Sequence, residues 1–113
     1  MVTVDTISVS MLDSYYGDNS VIIIDLRSRE EYEESHFKGA VNVPYEELEY
    51  AKRFPRSKTL ILYCERGGAS LFAARELMKK GYRTKSVVGG IRAYTGPNLY
   101  FGSNHSRMVQ IYK

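Results

Sequence analysis

The only cysteine of the chain, Cys64, sits where an apolar run meets a glycine-bearing loop: Leu60-Ile-Leu-Tyr-Cys-Glu-Arg-Gly-Gly-Ala-Ser70. The run predicts a buried strand that stops on the sulfur, and the residues from 69 onward predict a helix. A strand, loop and helix in that order aim backbone N–H groups and a helix N-terminus at one side chain. This suits a thiolate, or an anion held beside it. A thiol is a useful nucleophile only when ionised. A free cysteine titrates near about 8.5, and a helix N-terminus or a nearby cation lowers that value. Here the helix supplies the dipole and Arg66 the cation. Gly67 and Gly68 let the loop curl its N–H groups inward, and Ser70 can cap the helix or add a donor. The competing reading makes Cys64 a small core residue.

Counting positions excludes several other cysteine and phosphate chemistries. A phosphatase-type loop needs an arginine at the position held by Ser70, to clamp phosphate bidentately; the next arginine is Arg75, a further turn along the helix. A thioredoxin-like site needs a second cysteine where Gly67 stands. No Gly-Lys-Ser or Gly-Lys-Thr triplet is present for a nucleotide phosphate loop. The two histidines, His36 and His105, stand in no recognisable context for a general base. With one cysteine and two scattered histidines, no metal site is expected.

The elements that must position this loop alternate in type. Residues 8–16 predict a short helix ending at Gly17. Val21–Asp25 is a β-branched run fit for a strand buried on both faces. Ser28-Arg-Glu-Glu31 has the form of a capping box, opening a brief helix that fades near Ser35. Residues 40–44 predict a second strand halted by Pro44. Residues 45–54 have helical spacing through Leu48 and Ala51, stopped by Pro55. Thr59–Tyr63 is the third and clearest strand. Residues 69–80 form the clearest helix, with Leu71, Ala74, Leu77 and Met78 on its apolar stripe and Gly81 at its end. Residues 85–88 predict a fourth strand leading into Gly89-Gly90. The alternation argues for an α/β fold, a mostly parallel sheet with helices on both faces. In such sheets the working site lies beyond the carboxyl ends of the strands, where Asp25 and Cys64 both fall.

Composition narrows the class. The 113 residues are one domain by size, with 43 % hydrophobic content. The net charge is +3 with both signs interspersed, so no clustered basic face for nucleic acid is visible. No apolar run approaches membrane-spanning length. The first residues, Met1-Val-Thr-Val-Asp5, lack the charged region and apolar run of a secretion signal. One cysteine allows no internal disulfide, so the cytoplasm is the expected compartment. Asn98-Leu-Tyr-Phe-Gly-Ser103 resembles part of a tag-removal protease site without its glutamine. Residues 96–113 are taken as a tail laid across the surface, with no function assigned.

At this point the chain resembles the single-domain rhodanese (thiosulfate sulfurtransferase-like) family. The matching segments are Ile24-Asp-Leu-Arg27, Glu30-Glu-Tyr-Glu-Glu-Ser-His-Phe-Lys-Gly-Ala-Val-Asn-Val-Pro44, Leu62-Tyr-Cys-Glu-Arg-Gly-Gly-Ala-Ser70 and Val88-Gly-Gly-Ile91. Four ordered segments cover about residues 5–95, so a rhodanese-like domain over residues 1–95 is expected. The resemblance implies a five-stranded, mostly parallel sheet whose first strand is short and near residues 6–8. It implies that Cys64 carries sulfur as a persulfide, taken from thiosulfate or a persulfide donor and passed to a thiol or other thiophilic acceptor, small or protein-borne. No cofactor is implied. The loop of Glu65, Arg66, Gly67, Gly68, Ala69 and Ser70 binds the substrate. Asp25 and Arg27 support it, Asp25 by accepting hydrogen bonds from nearby loops and Arg27 by pairing with a carboxylate. Gly39 serves a tight turn, and Gly89 and Gly90 let the chain pass close to the loop. Two departures stand out. Many members carry arginine where this chain has Glu65, and again where it has Ala69. The first sets a carboxylate near an anion pocket and the second removes a cation, so thiosulfate is expected to be a poor donor. A catalytically weak protein-binding or regulatory module with an idle Cys64 is the alternative.

Overall fold

The computed structural model describes residues 3–50 and 54–102. Five strands form one parallel sheet in the order β1-β6-β5-β2-β4. They are β1 (Thr6–Ser8), β2 (Val21–Asp25), β4 (Val41–Asn42), β5 (Thr59–Tyr63) and β6 (Arg83–Val88). A small antiparallel pair joins β3 (Ser35–Phe37) to β7 (Leu99–Phe101).

The central strand β5 explains the layering. Leu60 and Leu62 point to one face and Ile61 and Tyr63 to the other, and all four are fully buried. A continuous apolar run is therefore two alternating sets, each with its own cover. On one face, Leu60, Leu62 and Ile24 pack under Ala73, Ala74 and Leu77 of α2 (Gly68–Lys79), with Leu48 of a 3-10 turn beside them. On the other, Ile23, Ile61, Tyr63 and Val87 pack under Leu12, Phe37, Ile91 and Tyr94, with Tyr32 of α1 (Arg29–Glu34) at the edge. Each leucine, isoleucine, valine or phenylalanine among them contributes about 1.5–3 kcal/mol when fully buried.

The capping box forms as expected. The Ser28 hydroxyl accepts from the Glu31 N–H at 3.1 Å, and the Glu31 carboxylate accepts from the Ser28 N–H at 3.2 Å. Other expectations are corrected. Residues 9–15 form a 3-10 helix rather than an α-helix, and so do residues 45–50; residues 51–53, with Ala51, lie outside the described residues. Only Leu12 of the first is buried, so no apolar stripe at α-helical spacing holds that segment to the sheet. The buried stripe of α2 is Ser70, Ala73, Ala74 and Leu77, while Leu71 faces solvent at 47 % exposure. His36 lies within β3. Part of the presumed tail is an element: β7 pairs with β3, and the Gly102 N–H continues the ladder to the Glu34 carbonyl at 3.0 Å. Residues 103–113, with His105, lie outside the described residues.

The register positions the site. Asp25 pairs with Tyr63 at the carboxyl ends of β2 and β5, one residue short of Cys64. Ser86 of β6 pairs with Leu62, which brings the turn after β6 alongside residues 64–66.

Candidate active site

Cys64 follows β5 directly and turns toward the face that α2 covers. It is 7 % exposed, between a sheet that shields it from below and a loop that folds over it. Two backbone donors converge on its sulfur: the Gly67 N–H at 3.0 Å and the Ser70 N–H at 3.4 Å. Both belong to the loop and first turn of α2. Gly67 is the residue before that helix, at φ +109°, a left-handed conformation that side chains resist. That conformation turns its own N–H back onto the sulfur. A negative charge on sulfur therefore meets two amide dipoles, and the first turn of a twelve-residue helix behind them.

The loop is braced from below and beside. The buried Ser70 hydroxyl donates to the Gly67 carbonyl at 3.0 Å. It has only one proton, so Ser86 donates to Ser70 in the hydroxyl pair at 2.9 Å. Of the two expected roles of Ser70, its side chain does not cap the helix, while its main-chain N–H is a donor to the sulfur. Beyond β6, the Ile91 N–H donates to the Cys64 carbonyl at 2.9 Å and the Arg92 N–H to the Glu65 carbonyl at 3.1 Å. A Cβ on Gly90 would lie 2.6 Å from the Arg66 nitrogen, so only glycine lets the two loops touch there. Gly89 and Gly90 do pass against the cysteine loop, and Gly39, at φ +88°, closes the turn in which the Ala40 N–H reaches the Phe37 carbonyl.

Beside the loop lies a buried ion pair. Asp25 is fully buried and Arg27 nearly so. The Arg27 backbone N–H donates to Asp25 Oδ1 at 2.8 Å and its Nη2 to Oδ2 at 2.9 Å, with Nη2 also donating to the Ser35 carbonyl. The Tyr63 hydroxyl donates to Asp25 Oδ2 at 2.7 Å and accepts from the Phe37 N–H at 3.1 Å. Asn42 Nδ2 ties the Asp25 and Arg27 carbonyls together. Burial alone lowers the Arg27 guanidinium, but hydrogen bonds and charge from Asp25 outweigh it and carry it above its ordinary value. Burial and the Asp25 carboxylate push the Tyr63 hydroxyl far up, which keeps it a donor.

The remaining loop residues divide. Glu65 spans two arginines, Arg27 Nη1 at 3.6 Å from Oε1 and Arg92 Nη1 at 3.4 Å from Oε2. Arg66 is exposed and makes no ion pair among the described residues, so the expected cation stands toward solvent. Gly68 opens α2, and Ala69 packs at the edge of the core below it. Among the described residues no group of three or more histidine, cysteine or carboxylate side chains could hold a metal, and no helix is long and apolar enough to cross a membrane. Sequence reasoning missed Tyr63, Ser86 and Arg92. Tyr63 carries a signal, a hydroxyl at the end of an otherwise wholly apolar run. Arg92 carries none, because its partner Glu65 is 27 residues away.

A family model for the rhodanese-like domain matches residues 8–96. The chain belongs to the rhodanese-like domain family. A tRNA sulfurtransferase of Desulfurococcus amylolyticus is 42 % identical over 83 residues, which cover 74 % of this chain and 16 % of that protein. The thiosulfate sulfurtransferase GlpE of Coxiella burnetii is 29 % identical over 76 residues, 66 % of this chain and 71 % of that one. The chain thus spans about a sixth of the first of these relatives and most of the second. The solution structure of the rhodanese-like domain of the Alr3790 protein from Anabaena sp. superposes with a TM-score of 0.78 at 23 % identity, covering 93 % of this chain and 84 % of that chain. That likeness shows the fold: this rhodanese-like domain has the five-stranded parallel sheet with helices on both faces that the sequence implied.

Proposed function

We propose that this rhodanese-like domain is a sulfurtransferase that works through a persulfide on Cys64. The supporting observation is the pair of backbone N–H groups, from Gly67 and Ser70, on the Cys64 sulfur. The Cys64 thiolate attacks the outer sulfur of thiosulfate or of a persulfide. The donor S–S bond breaks, and sulfite or a thiolate leaves with the bonding pair. Both leaving groups are stable anions, so the chain needs no general acid. What remains is to hold an anionic sulfur, first on the cysteine and then one atom further out. Main-chain donors do this without reorganising, and one such donor is worth about a hundredfold in rate or more. A thiol or cyanide then takes the outer sulfur and restores the thiolate.

In this reading Glu65, Arg66, Gly67, Gly68, Ala69 and Ser70 line the substrate loop, and Asp25 and Arg27 hold the neighbouring strand end in register with it. The setting proposed is the cytoplasm, with a small or protein-borne sulfur donor and acceptor. Relatives named as sulfurtransferases support sulfur transfer at the level of the family. A protein-binding module with an idle cysteine is the second reading; it draws on Glu65, whose carboxylate stands beside the loop between two arginines. One assay separates the two. The protein is incubated with thiosulfate or cysteine persulfide and then with cyanide, and thiocyanate is measured. Thiocyanate from the wild type and none above background from Cys64→Ser is the expected result. Equal amounts from both proteins, or none from the wild type with either donor, would overturn the proposal.

A further inference from the structure

We infer that Glu65 selects the sulfur donor, turning the site away from dianionic thiosulfate and toward an alkyl persulfide. The inference rests on the sulfur-transfer reading above and names the substrate class of that site. Its basis is the charge arrangement beside the loop. Asp25, Arg27, Glu65 and Arg92 form a row of alternating sign, so each arginine near the loop already faces a carboxylate. Arg27 also spends a guanidinium nitrogen on the Ser35 carbonyl. A cavity of about 250 Å³ runs along this row, and its charged walls are Glu31, Glu34 and Glu65 against Arg27 and Arg92. Arg66 is the one charged group of the loop without an ion-pair partner among the described residues, and it stands in solvent, where its field is weak.

A donor's charge decides how it meets this arrangement. Thiosulfate brings two negative charges, so each carboxylate beside the loop repels it twice as strongly as a monoanion. A persulfide R–S–S–H brings one charge or none. The step it needs is balanced: the Cys64 thiolate bonds to the outer sulfur, the donor S–S bond breaks, and the thiolate R–S⁻ leaves and takes up the proton. No oxidant or reductant enters. The two amide donors on Cys64 serve either donor, because they bond to the attacking sulfur, which is common to both, rather than to the group that leaves.

The experiment measures the rate of sulfur uptake on Cys64, read by mass, with thiosulfate and separately with cysteine persulfide. It compares the wild type with Glu65→Gln, Glu65→Arg and Arg92→Gln. The readout is the thiosulfate-to-persulfide rate ratio. It is expected to rise about fivefold in Glu65→Gln and about twentyfold in Glu65→Arg, and to fall about fivefold in Arg92→Gln. The changes are expected to shrink as salt is added. A merely structural role for Glu65 moves both donors by one common factor and leaves the ratio unchanged, which would overturn the inference. A ratio that rises equally in Glu65→Gln and Arg92→Gln would also overturn it, since loss of the bridge and not charge would then be the cause. Absence of uptake by the wild type from either donor would instead remove the sulfur-transfer reading beneath it.

Discussion

Two neighbouring regions of this domain each surround one acidic side chain, Asp25 or Cys64, and they do so in opposite ways. Around Asp25 the work is done by side chains. A guanidinium, a tyrosine hydroxyl and a backbone N–H saturate a carboxylate with no exposure to solvent. Around Cys64 it is done by main chain. Two amide donors approach the sulfur, and the Arg66 side chain stays outside. A carboxylate locked on every side cannot change partners, which suits a brace. A sulfur met by main-chain amides rather than by a paired side chain has no fixed counter-ion to release, which suits a group that is to react. The buried pair fixes where β2 and β5 end, and in the proposed sulfur transfer the loop works from that fixed point. The two regions meet where β2 pairs with β5, Asp25 lying opposite Tyr63 and Cys64 one residue further along.

If that division is right, substitutions in the two regions should fail differently. The largest expected effect is on activity alone. Cys64→Ser is expected to abolish sulfur uptake while changing unfolding free energy by no more than about 1–2 kcal/mol, checked by urea titration. Asp25→Ala should show the reverse. It leaves Arg27 buried without its partner, and a loss of about 3–5 kcal/mol in urea unfolding is expected, with activity falling only as the folded fraction does. A collapse of activity in Asp25→Ala at full folding would erase the distinction.

Tyr63→Phe sharpens the same contrast more gently. It removes one donor from Asp25 and one acceptor from the Phe37 N–H, at a cost of about 1–3 kcal/mol. It also has a signature in pH. Because the folded state raises the Tyr63 hydroxyl, its contribution is complete below the unfolded value of about 10 and is lost as pH rises beyond it. Tyr32 and Tyr94 are raised too, chiefly by burial, and act with the same sign. Stability is therefore expected to decline above about pH 10 in the wild type, and less steeply in Tyr63→Phe, measured by thermal melts across that range. The smallest effect is expected at Ser86→Ala. It removes the donor to Ser70 and costs about 1 kcal/mol, and a drop in sulfur uptake larger than the loss of folded protein would tie the hydroxyl pair to the loop.

Much of this was legible in the sequence because the governing interactions are local or periodic. The runs at Val21–Asp25 and Thr59–Tyr63 can only be strands covered on both faces, and the Ser28–Glu31 box announces its own helix start. The strand–cysteine–glycine order itself puts the sulfur at a strand end. The illegible parts depend on distant partners. Tyr63 meets Asp25 across 38 residues, and Arg92 meets Glu65 across 27. β7 exists only because β3 is there to pair with it, and its short Leu-Tyr-Phe run has no periodicity to betray it. Residues 9–15 take 3-10 geometry, which sets Val9, Leu12 and Tyr15, three residues apart, on the core, a spacing that an α-helical reading does not anticipate. Even within α2, the apolar stripe sits one residue from where hydropathy alone puts it. Ser70 is drawn inward by Ser86 and Gly67, and Leu71 is turned out.

The claim at the centre is that Cys64 accepts and holds a transferable sulfur atom. Folded protein incubated with cysteine persulfide, trapped with an alkylating agent and digested, tests it at the level of the peptide. The account requires the Cys64 peptide to carry one extra sulfur, and to lose it again on exposure to cyanide. A Cys64 peptide that remains an unmodified thiol, in protein shown to be folded, would contradict it.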